Sequence, residues 1–343
     1  MKKLLIATSI AATFIAAAGE RDTINIVGSS TVFPFATVTA ENFGQTGQFK
    51  APKIESTGSG GGMKLFCAGI GVNTPDITNA SRRIKAKEFK TCKDNGVTDI
   101  TEVLIGFDGI AVANSKAAPQ FELTRQQLFL ALAKDVPEKD GSEKLVPNPY
   151  QKWSDIDTSL PNIKIEVLGP PPTSGTRDAF AELVLEGGCK QYDWIKAMKK
   201  TDKKAYKSVC HTIRTDGAYI EAGENDNLIV QKLEANKNAL GIFGYSFLEQ
   251  NTDKVQGSKI EGLEPTFASI ASGEYKVSRP LYFYIKNAHI GKIPGIKEYA
   301  QLFVSEDAVG EDGFLIEKGL IPLTDKEREA TRQAVSTGKK LSL

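Results

Sequence analysis

Apolar and polar residues alternate over Thr23-Ile24-Asn25-Ile26-Val27, and the alternation stops at Gly28-Ser29-Ser30-Thr31. This pattern of β-branched residues with period two predicts a strand. Residues 34–43 then read as a helix. Lys53-Ile54-Glu55-Ser56 predicts a second short strand, ending in Thr57-Gly58-Ser59-Gly60-Gly61-Gly62, with a helix beginning over 63–68. Residues 76–80 form a third strand-like stretch that leads into Ser81-Arg82-Arg83. Two apolar segments, 103–107 and 110–112, are expected as β structure broken by Asp108-Gly109. Further along, 123–133 predicts an amphipathic helix with Thr124 as N-cap, and 135–149 a loop rich in Pro, Asp and Gly. Residues 164–168 predict a strand, followed by Gly169-Pro170-Pro171-Pro172-Thr173-Ser174-Gly175-Thr176-Arg177 and a helix over 178–186. Strands are expected again over 240–247 and 281–285, with helical stretches at the C-terminal end.

Strands alternating with helices indicate an α/β fold built on mainly parallel sheets. At 343 residues, the chain is long enough for two lobes of roughly 150 residues each. No internal repeat or low-complexity linker separates them. Two lobes without a linker imply that the chain crosses between them more than once.

The first 18 residues follow a different pattern. Lys2 and Lys3 precede an apolar run that ends in Ala16-Ala17-Ala18. A basic start, a short hydrophobic run and an A-x-A site describe a secretory signal peptide. The run is well short of the roughly 20 residues that span a bilayer. Four cysteines, Cys67, Cys92, Cys189 and Cys210, follow it as two sequence-local pairs. An even number in an oxidising compartment favours disulfides, and local closure of Cys67 with Cys92 and of Cys189 with Cys210 is preferred among three formal connectivities. No cysteine stands directly after the hydrophobic run, so a lipid anchor is not expected.

Composition adds mainly exclusions. With 41% apolar and 25% charged residues, the chain is an ordinary globular one. Its 43 Lys+Arg stand against 42 Asp+Glu, and removal of Lys2 and Lys3 with the signal would leave a net −1. A nucleic-acid binder usually carries a basic excess; none exists here.

Chemistry is expected at three loops of one form. Gly28-Ser29-Ser30-Thr31, Gly58-Ser59-Gly60-Gly61-Gly62 and Thr173-Ser174-Gly175-Thr176 each follow a strand and open a helix. Such loops turn free backbone N–H groups and hydroxyls toward the positive end of a helix, where an anion can bind. Arg82 lies just after Ser81 at the end of the third strand-like stretch and Arg177 just after the Ser-Gly-Thr turn, and guanidinium forks suit tetrahedral oxyanions. Arg83 is expected to form a surface salt bridge. Asp108 interrupts an apolar segment and is expected to be buried, so it needs a partner. That partner could be an arginine, or the proton of a partly protonated anion. Hydrogen phosphate carries such a proton and sulfate does not, so one acceptor could separate two anions of equal shape.

Ile26-Val27-Gly28-Ser29-Ser30-Thr31, Ser59-Gly60-Gly61-Gly62, Ala80-Ser81-Arg82, Asp108-Gly109 and Ser174-Gly175-Thr176-Arg177-Asp178-Ala179-Phe180 together resemble the periplasmic phosphate-binding proteins of the high-affinity phosphate ABC transporter. Ser278-Arg279-Pro280-Leu281-Tyr282-Phe283-Tyr284 adds to the resemblance, which runs from about residue 24 into the 300s. It implies a two-lobed class II binding fold that closes over inorganic phosphate in the interlobe cleft. It also implies a periplasmic monomer that performs no catalysis, needs no cofactor and delivers phosphate to a membrane permease. Carried over by position, Ser30, Thr31 and Val32 would serve from the first loop, Ser59 from the second, and Ser174, Gly175 and Thr176 from the third. The lobes would comprise 19–107 with 279–343, and 108–278, with hinges near 107–112 and 278–281. Two positions depart from the best-known family pattern: Arg82 stands where that pattern has Asp, and Pro170 where it has Arg. The expectation is that Arg82 and Arg177 restore the positive charge and Asp108 the carboxylate.

Arsenate, sulfate or molybdate are the alternative ligands, and a secreted phosphate-ester hydrolase the alternative class. The hydrolase has little support. Only His211 and His289 are present, and no G-x-S-x-G, P-loop or H-E-x-x-H pattern occurs. His211, beside Cys210, is expected to pack against a disulfide.

Overall fold

A computed structural model of the chain describes residues 21–223 and 226–343. The expected signal peptide, residues 1–18, lies outside the described residues. Among them, one large sheet organises the fold. Its strands are β1 (Asn25–Gly28), β2 (Lys53–Ser56), β3 (Ile77–Ala80), β4 (Ile100–Ser115), β5 (Val167–Gly169), β6 (Tyr219–Glu221), β7 (Leu240–Gly244), β8 (Val255–Gly257) and β9 (Ser278–Lys286). They neighbour one another in the order β2-β1-β3-β9-β4-β7-β5-β6, and β8 also pairs with β4.

The sheet is mixed rather than mainly parallel. Its outer strands are parallel, β1 with β2 and β3, and β5 with β6 and β7. Its centre is antiparallel, β9 with β3 and β4, and β4 with β7 and β8. The cause is the double crossing. β4 carries the chain out of one half of the molecule and β9 brings it back alongside, and neighbours running in opposite directions must pair antiparallel.

The break expected at Asp108-Gly109 is absent. β4 runs unbroken for 16 residues, because its unpaired groups find a partner strand on each side of that point. Asp108 pairs with Arg279 and Gly109 with Ser278, and Ile110 then faces Gly244 of β7. A β-bulge does interrupt the β4–β9 ladder. Leu281 opposes Gly106 and Tyr282 opposes Leu104, so Ile105 has no opposite number. Gly106 takes φ +149°, and a Cβ there would lie 2.5 Å from the Ile321 carbonyl oxygen. Only glycine fits that backbone.

Alternation along β9 divides the first half of the molecule into layers. Leu281, Phe283 and Ile285 join a core with Phe35, Val103 and Phe303, while Tyr284 faces Met63, Phe66 and Phe89 on the other side. The larger core, including Val112, Phe129, Trp153, Phe180 and Phe243, surrounds the far end of β4. The fold is α/β and two-lobed, and β4 contributes to both main cores, Val103 and Ile105 to one and Ile110 to Ala113 to the other.

Helices start where the loops were expected, with instructive shifts. Phe33–Gln45 follows β1. Gly58–Phe66 begins five residues early and takes in the glycine run. A Cβ on Gly62 would sit 2.5 Å from Gly28 Cα and 2.6 Å from Thr78 Oγ1. The glycines thus let this helix lie directly on the strand ends. The segment expected as a strand over 240–247 ends at Gly244 and continues as the helix Tyr245–Gln250. The loop over 135–149 contains a small ribbon, Asp135–Pro137 paired with Leu145–Pro147. Both disulfides are local, Cys67–Cys92 and Cys189–Cys210. No helix among the described residues is long and apolar enough to cross a membrane.

Gly62→Ala should destabilise the protein by about 1–3 kcal/mol, because no flexible group can yield to the new methyl. A chemical denaturation midpoint unchanged from wild type would contradict the close helix–strand packing.

Candidate functional site

The three loops converge because β1 and β2 run toward the middle of β4 from one half of the sheet, and β5, opposite in direction, runs toward it from the other. In the first, the Ser29 N–H donates to the Asn79 carbonyl at 2.9 Å, fixing the turn beside β3. Val32 is fully buried, and its N–H donates to Ser29 Oγ at 3.4 Å. In the second, Ser59 Oγ accepts the Ser81 N–H at 3.0 Å, so loop and strand end form one wall. In the third, Ser174 caps the helix Gly175–Phe180, its Oγ accepting the Thr176 N–H at 3.2 Å. A Cβ on Gly175 would lie 3.6 Å from the Ser30 carbonyl oxygen and 3.9 Å from Thr31 Cα. The third loop therefore meets the first across the cleft.

Two cavities flank this meeting point. One, of about 860 Å³, is lined by Ser30, Thr31, Ser59, Ser81, Arg82 and Arg279, with Asp178, Glu182 and Glu186 on the facing wall. The other, of about 420 Å³, is lined by Thr31, Asp108, Ser174, Gly175 and Thr176. Thr31 lines both. A further hollow of about 810 Å³, bounded by residues such as Phe121, Leu160 and Glu261, shares no residue with the loops.

The charged groups have distinct settings. Arg82 lies beside Gly60 and forms two hydrogen bonds to Glu88, at 2.9 and 2.7 Å. Arg177 turns away from both cavities. It donates to the Pro170 carbonyl at 3.3 Å and Glu221 at 3.2 Å, and stacks 4.8 Å over the Tyr219 ring. Arg83 does pair on the surface, with Glu102.

The cation that joins the loops is Arg279, which is only 7% exposed. Its Nε donates to Asp108 Oδ2 at 3.2 Å and its Nη1 to Glu182 Oε2 at 2.7 Å. Its Nη2 donates to Thr31 Oγ1. Burial raises the Asp108 carboxyl above its ordinary range, and the charge and hydrogen bond of Arg279 only partly offset that. The large cavity also presents Lys85, Lys199, Lys203 and Lys207. A buried guanidinium, hydroxyls, backbone N–H groups and nearby ammonium groups make this a site for a small oxyanion.

A model of the PBP superfamily domain matches residues 16–307. The phosphate-binding protein PstS of Staphylococcus epidermidis is 33% identical over 288 residues, covering 82% of this chain and 73% of that protein. This chain belongs to the PstS family. Its membership extends over most of its length: Protein SphX of Synechococcus elongatus is 27% identical over 329 residues, covering 94% of this chain and 84% of the relative. A crystal structure of a possible phosphate binding protein from Planctomyces limnophilus superposes with a TM-score of 0.72 at 29% identity, covering 93% of this chain and 99% of the other. An ABC-type phosphate transport receptor from Vibrio cholerae shares the fold, with a TM-score of 0.56 at 22% identity over 88% of this chain and the whole of that one.

Reasoning from sequence passed over Arg279 and Glu182 in this PstS-family chain. A signal for Arg279 did exist. It falls in phase with Leu281, Phe283 and Ile285, the buried face of β9, and an arginine in a buried phase must have partners. Glu182 carries no such signal. It stands in a π-helical turn, Ala181–Leu185, that interrupts the helix leaving the third loop.

Glu186, on the same wall, is a supporting group. It accepts hydrogen bonds from Lys199 at 2.6 Å and Tyr206 at 3.1 Å, and lies 2.8 Å from His211 Nε2, next to the Cys189–Cys210 bridge. Burial pushes its carboxyl up, but the contacts with His211 and Lys199 outweigh this and bring it from 4.5 to about 2. A depressed carboxyl stabilises the fold fully above its unfolded value and loses that effect as pH falls through its folded one. Glu186→Gln should therefore cost about 3 kcal/mol at pH 7. The difference from wild type should close between pH 4.5 and about 2, as read from urea denaturation; a gap independent of pH would contradict the assignment.

Proposed function

We propose that this protein captures inorganic phosphate between its lobes and delivers it to the permease of an ABC transporter, binding without turnover. The observation that carries this reading is the buried Arg279 guanidinium, held at once by Thr31 of the first loop, Asp108 of β4 and Glu182 beyond the third loop. A fixed cation ringed by hydroxyls and N–H groups suits a compact dianion. The names of the relatives, phosphate-binding proteins and a phosphate transport receptor, support the same ligand. Family membership supports a transport receptor rather than an enzyme.

In this reading Thr31, Ser59, Ser174, Gly175 and Thr176 donate to phosphate oxygens. Arg279 takes the role expected of Arg177, and Arg82 closes the outer side. Asp108 accepts the proton of hydrogen phosphate. Burial suits it to that task, because a raised carboxyl holds a shared proton more strongly. The lobes divide at β4 and β9, near residues 107 and 279, and close by twisting those two strands. The N-terminal signal pattern and the two disulfides support export to the periplasm.

Calorimetric titration of the full-length mature protein with phosphate, arsenate and sulfate tests the ligand. Phosphate and arsenate should bind and sulfate should bind at least tenfold more weakly, since it leaves Asp108 facing a bare oxygen. Equal phosphate and sulfate affinity would remove the proton-acceptor role. Arg279→Gln should weaken phosphate binding by roughly a hundredfold, the scale of a lost charged hydrogen-bond pair, while Arg177→Gln should change it little. The reverse ranking would return the central role to Arg177.

A further inference from the structure

Arg279 holds two carboxylates, and they are not equivalent. Asp108 is opposite Arg279 in the strand register, and its side chain is 16% exposed. Glu182 reaches Nη1 from the facing wall of the large cavity, and its side chain is 59% exposed. One guanidinium already serves two carboxylates before any ligand arrives. A phosphate dianion approaching the same guanidinium would meet net repulsion unless one carboxylate withdraws. Asp108 has little water to turn into, its side chain being only 16% exposed. Glu182 can rotate into the water that already covers more than half of its side chain.

We propose that Glu182 is an exchangeable internal anion that phosphate displaces from Arg279. This rests on the reading of the cleft as a phosphate site and adds a determinant of affinity to it. The Glu182 carboxylate takes the Nη1 donor on the side of Arg279 that faces the open cavity. Incoming phosphate takes over that donor, and the carboxylate turns outward. The swap conserves the charge-assisted hydrogen bond at Nη1, so binding gains less than a bare guanidinium would provide. Until the swap, Glu182 and Thr31, which lie on opposite walls of the cleft, are joined through Arg279. Glu182 is thus both a competitor of the ligand and a tie between the walls.

Glu182→Gln removes the charge and weakens the tie, and its exposed position leaves folding unthreatened. Calorimetry with inorganic phosphate should show about tenfold tighter binding than wild type, and stopped-flow mixing a faster association. Asp178→Asn is the comparison. Asp178 lines the same cavity and has no contact with Arg279 among those of the guanidinium, so its affinity should change by no more than about twofold. Unchanged or weaker binding by Glu182→Gln would overturn the exchange and make Glu182 a positioning residue. An equal gain in Asp178→Asn would overturn it too, reducing the effect to long-range charge. Wild-type protein that takes up no phosphate would instead overturn the reading of the cleft, and the exchange with it.

Discussion

The cross-strand pairing of Arg279 with Asp108 is the constraint on which the rest of the architecture depends. It places a guanidinium, a group that does not give up its charge, inside the sheet where β9 lies against β4. A buried charge must be surrounded by acceptors. The acceptors here come from three separate parts of the chain: the first loop, the crossing strand and the helix beyond the third loop. Satisfying one side chain therefore brings together elements far apart in sequence, and the cleft forms around it.

The glycine geometry follows from the same crowding. The helix after β2 can approach β1 because Gly62 and Gly28 touch, and the third loop can approach the first because Gly175 has no side chain in the gap. The bulge at Gly106 turns β4 just before Asp108. Small residues at these points let the walls approach within contact distance of a small ligand.

Much of this was legible in the sequence, and the failures have physical causes. Strand periodicity located β1 to β3, and the Ser/Gly loops marked the helix starts that build the cleft walls. Asp108, which interrupts apolar residues, is largely covered, with its side chain 16% exposed. The break expected at Asp108-Gly109 does not form because a partner strand 171 residues away in sequence supplies its pairing. Long-range partners leave no local trace. Arg177 was expected in the cleft from its place after the Ser-Gly-Thr turn, yet the Tyr219 ring and Glu221 draw it sideways. Direction of a side chain within a helical turn is set by neighbours that sequence order does not reveal.

The two disulfides lie on either side of this shared centre. Cys67–Cys92 closes before β4 begins, and Cys189–Cys210 closes between β4 and β9. Neither bridge spans a crossing strand. Each can therefore be oxidised as soon as its own short stretch of chain is available, in either order and without waiting for the other half to arrive. Correct pairing then needs no proofreading between distant parts of the chain.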